Sequence, residues 1–231
     1  MVSMYFKKCK YLRVLNISRD ERQALVNRVV ALVEDHQYRD VKELINVFFN
    51  FTISGIYIDS LVGAIHEEIK GDFNMLLPFQ ISMIVQPLAN LNNISFRARN
   101  LIYEILDNYD GFFTEFTLDD RANLFKNIAK LEMHSKLPRF QNPSILNSFK
   151  DDIQANLGSM KEWSILNIVE SYIYLPWNFG RPLLEEIDQM VLMTLEHNSE
   201  NIVPSFIIRY LNLKVQIYQA TQYFIFRKLI F

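Results

Sequence analysis

The stretch Leu124-Phe-Lys-Asn-Ile128 puts apolar side chains at i, i+1 and i+4, with Leu131 following at i+7. That is the stripe of an amphipathic helix, since a strand would alternate with a period of two. Four other segments repeat the pattern: Leu44-Ile-Asn-Val-Phe48, Ile84-Val-Gln-Pro-Leu88, Ile165-Leu-Asn-Ile-Val169 and Ile207-Ile-Arg-Tyr-Leu211. Their first residues are 40, 40, 41 and 42 positions apart in chain order. Phe51, Leu91 and Tyr172 extend three of these stripes to i+7, whereas Lys214 interrupts the last.

A second series lies between the first: Leu61, Ile65 and Ile69, then Leu101, Ile105 and Leu106. Leu146, Phe149 and Ile153 follow, and then Leu184, Ile187 and Val191. Turn-forming residues separate the two series, among them Ser54-Gly55, Asn92-Asn93, Asp110-Gly111, Pro138 with Pro143, and Gly158-Ser159. The unit is helix A, turn, helix B, turn. One such pair cannot cover its own apolar face, so neighbouring units must stack. The expected fold is all-α: a right-handed α-solenoid of about four to five helix–turn–helix repeats of about 40 residues. A capping helix is expected at 21–34, and repeats at about 39–77, 78–116, 117–159 and 160–200, with an incomplete one at 201–231. Residues 20–231 then form a single domain.

Composition agrees with long helices. Only 6 Gly and 7 Pro punctuate 231 residues, too few for the frequent turns of a sandwich or barrel. The single cysteine, Cys9, excludes an internal disulfide and a thiolate metal cage. No apolar run reaches the roughly 18–20 residues of a membrane helix. The N-x-[ST] matches at Asn16, Asn50 and Asn93 read as chance occurrences.

Residues 1–19 contain Lys7, Lys8, Lys10, Arg13 and Arg19 and no acid, with apolar residues interspersed. This is the pattern of a mitochondrial presequence, the alternative being a basic arm retained in the mature protein. The expected address is therefore mitochondrial, with the cytoplasm as the alternative.

Ala122-Asn-Leu-Phe-Lys-Asn-Ile-Ala-Lys-Leu131 resembles the leucine-rich helical repeats of FAST-kinase-like and heptatricopeptide or octotricopeptide proteins. Val85-Gln-Pro-Leu-Ala-Asn-Leu91 is a looser match, and the pattern runs over roughly residues 39–213. HEAT-like repeats are similar in length. The resemblance implies an organellar protein acting on RNA or within a ribosome, here without the nuclease-like RAP domain of many such proteins.

Nothing in the sequence reads as catalytic. His36, His66, His134 and His197 are 30, 68 and 63 residues apart, and none has a partner at the i, i+4 spacing of a helical zinc site. The adjacent pairs Glu67-Glu68, Asp119-Asp120, Asp151-Asp152 and Glu185-Glu186 diverge by about 100° on a helix and cannot converge on one atom. No metal, cofactor or small-molecule substrate is expected.

What remains is a polar row. The third position of each A-helix is Asn46, Gln86, Lys126, Asn167 and Arg209, and four residues on come Asn50, Asn90, Lys130 and Ser171. Stacked repeats would align these donors along one edge, where RNA bases or phosphates could meet them. Arg121, Lys136 and Arg139 would add local positive charge. Against this, the chain beyond residue 19 holds 19 basic and 26 acidic residues, a net charge of −7. The A-helix segments sum to about +1 and the B-helix segments to roughly −8, giving an acidic edge suited to a basic protein. The expected function is a non-catalytic component of a mitochondrial ribonucleoprotein, such as a mitoribosome or an RNA-processing assembly, binding RNA or ribosomal proteins. The alternative is a protein–protein scaffold or accessory subunit of a large mitochondrial complex. The apolar Val215–Phe231 segment is expected to dock on a partner or to lead into further chain.

Overall fold

A computed structural model describes residues 18–70, 72–108, 115–133, 143–175, 181–197 and 203–230. Every regular element among them is helical: ten α-helices and two 3₁₀ turns. The helices pack mostly on the next but one along the chain. They fall into two compact units, divided between Glu115 and Phe116.

The first unit holds α1 (Arg19–Glu34), α2 (Val41–Ile53), α3 (Asp59–Ile69), α4 (Pro78–Asn90) and α5 (Phe96–Asp107). Local chemistry fixes where each begins. Ser18 and Glu21 satisfy one another's backbone N–H at the start of α1, a capping box. Asp40 Oδ1 accepts from Glu43 N at 2.9 Å, and Ser95 Oγ accepts from Ala98 N at 3.1 Å, so α2 and α5 are side-chain capped. Pro78 opens α4, where a missing N–H costs nothing. Gly55, at φ +82°, turns the chain out of α2 in a conformation that a side chain would strain. Helix α1 packs on α3, α2 on α4, and α3 on α5. Tyr57 ties the starts of α3 and α5 together, its hydroxyl donating to Asp59 Oδ1 and sharing a hydrogen bond with Ser95 Oγ, both at 2.9 Å. Leu44, Ile45, Phe48, Phe51, Ile84, Val85 and Leu88 bury the A-type stripe, and Leu61, Ile65, Ile69, Leu101 and Ile105 the B-type one.

The second unit holds α6 (Leu118–Met133), α7 (Pro143–Asn156), α8 (Glu162–Ser171), α9 (Arg181–His197) and α10 (Pro204–Ile230). Thr117 caps α6: Asp120 N donates to its Oγ1, and Asp120 Oδ2 accepts from the Thr117 hydroxyl at 2.6 Å. Helix α8 packs on both α6 and α10. The phenyl rings of Phe125 and Phe149 meet with centroids 6.1 Å apart between α6 and α7. Gln154 Nε2 donates to Glu186 Oε2 at 2.8 Å, linking α7 to α9.

Two expectations about the stripes need correction. On α9 it is Leu183, not Leu184, that is fully buried with Ile187, because i, i+4 and i+8 through Val191 fit the core as well as i, i+3 and i+7. On α10 the difference is larger. The stripe aligned from the other A-helices starts at Ile207, yet Ile208 and Leu211 are 62% and 56% exposed. Phe206, Tyr210 and Leu213 face the core instead. This helix is apolar on two sides, and periodicity alone cannot say which side is covered. The Leu146 side chain lies outside the described residues.

Candidate interaction surface

The polar row can be followed within each unit. In the first, its amides turn back onto their own helices. Asn46 Nδ2 donates to Lys42 O at 2.8 Å, Asn50 Nδ2 to Asn46 O at 2.7 Å, and Asn90 Nδ2 to Gln86 O at 2.9 Å. Gln86 is exposed on α4. Amides bonded in this way have part of their donor capacity already used.

In the second unit the row becomes a bonded cluster across three helices. Lys126 Nζ on α6 donates to Asn167 Oδ1 on α8 at 2.7 Å. Glu170, one turn along α8, lies 3.7 Å from Lys126 Nζ and 3.9 Å from Arg209 Nη2 on α10. Burial pushes the Lys126 ammonium below the usual lysine range, and Glu170 opposes that shift. Lys130 lies over the Tyr174 ring, 5.9 Å from its centroid. Ser171 is fully buried and donates to Ile168 O. Asn167 is 8% exposed, so of the α8 positions neither reaches far into solvent. Glu170 was invisible to the sequence reading, because it falls outside the aligned polar positions. A lysine and an arginine aligned on flanking helices were the available signal for an acid between them.

Other cations are engaged similarly. Arg121 Nη1 lies 2.5 Å from Asp152 Oδ2, with both side chains largely covered, and its Nε donates to Phe116 O. Asp119 accepts from Lys161 Nζ at 2.8 Å and from the Ser164 hydroxyl. Burial works against the charge on Asp119, but these two bonds outweigh it and hold the carboxyl below its usual range. Lys136, Arg139 and residues 1–17, including Cys9, lie outside the described residues, as do His134 and the side chain of His197.

The first unit also carries an open cleft of about 520 Å³, lined by His36, Tyr38, His66, Glu67, Glu68 and Arg97 among others. Tyr38 donates to Glu68 Oε1 at 2.6 Å; burial and this carboxylate push its hydroxyl up to about 12. His66 Nε2 lies 2.8 Å from Glu104 Oε1, at an angle that misses hydrogen-bond geometry. Among the described residues no three His, Cys, Asp or Glu side chains converge as metal ligands.

The most conspicuous surface is on α10. Ile208, Leu211, Val215 and Tyr218 are 55–65% exposed and fall on one face of the helix. On α2, α4, α6 and α8 the residues equivalent to Ile208 and Leu211 (Ile45 and Phe48, Val85 and Leu88, Phe125 and Ile128, Leu166 and Val169) are all buried. Among the described residues no helix is long and apolar enough to cross a membrane. Compared with models of known protein families and with curated proteins, the chain matches none.

Proposed function

We propose that the chain is a non-catalytic α-helical-repeat subunit that joins a larger assembly by protein contact through α10. The observation that carries this reading is the open apolar face at Ile208, Leu211, Val215 and Tyr218, where the equivalents of Ile208 and Leu211 are covered on four other helices. Exposed apolar surface that is ordered and contiguous marks an association site. The near-constant spacing of the five A-segments supports a right-handed α-solenoid as the repeat architecture. The acid-free basic segment at 1–19 and the resemblance of Ala122–Leu131 support a mitochondrial ribonucleoprotein as the assembly.

A second reading, RNA contact along the A-helix edge, is favoured by Lys126 and Lys130 on α6 and Arg209 on α10. It is weakened by Glu170 in their midst and by the net charge of −7 beyond residue 19.

Purification of the tagged full chain from its native source, with ultraviolet crosslinking to RNA and a salt series, separates the two. The protein-contact reading expects partners retained at high salt and lost on Val215→Glu. RNA crosslinked at 124–130, with binding that falls steeply with ionic strength, would replace it with the second reading.

A further inference from the structure

The interface between α6 and α8 shows how this chain covers a face like the open one on α10. On α6, Phe125 and Ile128 are buried, while Lys126 between them in sequence keeps 20% of its side chain in solvent. Helix α8 packs on α6 and brings two acceptors to that ammonium, Asn167 Oδ1 at 2.7 Å and Glu170 Oε2 at 3.7 Å. An apolar contact is thus bordered by a cation, and the covering helix answers the cation with an amide and a carboxylate. Without that answer the charge would lose water and gain nothing in return. In the aligned repeat, Phe125, Lys126 and Ile128 correspond to Ile208, Arg209 and Leu211 on α10. Here all three are exposed.

The two cations flanking the open face are not equally satisfied. Lys214 and Arg209 stand on opposite sides of it, at 100° per residue. Lys214 Nζ donates to both oxygens of Asp188, at 2.6 and 2.9 Å. Arg209 makes no hydrogen bond to any described residue. Its acid among those residues is Glu170, 3.9 Å away and shared with Lys126. The guanidinium is 63% exposed and has a fork of donors to offer, a geometry that suits a carboxylate. A basic partner would set like charges together at this rim, whereas an acidic one completes the pairing. A second α10 cannot supply the acid, because the helix contains none.

We propose that the open face of α10 receives an amphipathic helix of a partner protein, with a carboxylate beside its apolar stripe that pairs with Arg209 as Glu170 does with Lys126. This rests on the reading of α10 as a partner-binding face and names the chemistry of the partner.

Two stapled helical peptides with the same leucine stripe, one flanked by glutamates and the other by lysines, test it by fluorescence anisotropy on the purified full chain. The glutamate peptide should bind at least tenfold more tightly, against the direction set by the chain's net charge of −2. Arg209→Gln should remove that preference, Arg209→Glu should reverse it, and Val215→Glu should abolish both bindings, each with the helical circular dichroism unchanged. Equal binding, a preference for the lysine peptide, or a preference that survives Arg209→Gln overturns the proposal. So does a chain that sediments as a dimer and becomes monomeric on Val215→Glu, which makes the occupant a second copy. If neither peptide binds but Val215→Glu strips the native partners, the acidic helix is overturned and the partner-binding face stands. If neither binds and the native partners are unaffected, both fall.

Discussion

Lys126 on α6 donates to Asn167 on α8 across 2.7 Å, so two positions that the repeat alignment places side by side are bonded to each other. Glu170 adds its charge within 3.7 Å of the same ammonium. A half-buried cation held between an amide and a carboxylate contributes to the packing of α6 on α8, whatever else it touches.

Removing that carboxylate should therefore be felt as stability. Glu170→Gln is expected to cost about 1 kcal/mol, read as a lower urea midpoint, since the pair is only partly shielded from water. Lys126→Met on top of it should recover part of the loss, because the uncompensated charge goes too. Strictly additive effects would show that the two side chains are not coupled.

Equivalent places on different helices should answer differently to truncation. Phe48 on α2 is 1% exposed and Leu211 on α10 is 56% exposed, although both stand at i+4 of the aligned stripe. Phe48→Ala should cost about 3–5 kcal/mol, as a large core side chain does. Leu211→Ala should change the stability of the monomer by about 0.5 kcal/mol or less. Thermal or urea unfolding of the two variants, at a concentration that keeps the chain monomeric, provides the comparison.

Arg121→Ala strands Asp152 in a largely covered position 2.5 Å from where the guanidinium was. The expected loss is about 2 kcal/mol, and the simultaneous Asp152→Asn change should restore about half of it. A surface pair such as Arg181 with Glu185, both more than half exposed and 2.8 Å apart, should show about 0.5 kcal/mol or less by the same double-mutant cycle.

Alkaline pH should destabilise the first unit through its tyrosines. Burial raises the Tyr57 hydroxyl to about 12, with Asp59 adding to the rise, and burial and Glu68 raise Tyr38 to about 12. An unfolded tyrosine ionises near 10, so above that pH the unfolded chain releases protons that the folded one retains. Stability is then complete below about pH 10 and falls as pH rises toward 12. Tyr57→Phe and Tyr38→Phe should each make that fall shallower in urea midpoints taken from pH 9 to 12.

The helices were legible because their signals are local. Turn residues such as Ser54-Gly55 and Asn92-Asn93 lie within a few residues of the helix boundaries they mark. Apolar periodicity then identified the buried stripes wherever one side of a helix was apolar. It failed in part on α9, where Leu183 rather than Leu184 is buried, and on α10, where Phe206, Tyr210 and Leu213 compete with Ile208, Leu211 and Val215 for the core. The polar row was legible as a set of aligned positions, but its bonding was not. Whether a lysine faces solvent or an acid depends on a neighbouring helix some 40 residues away, as Lys126 and Asn167 show.

Helix α8 is only ten residues long, yet α6 and α10 both rest on it. Its Ser164 and Ser171, fully covered, are small enough for its neighbours to come close. Either outer helix can fray or detach while α8 keeps the other, but α8 cannot open without parting from both. Its backbone amides are therefore the ones in this unit that should exchange with deuterated solvent last, and only when the whole unit comes apart.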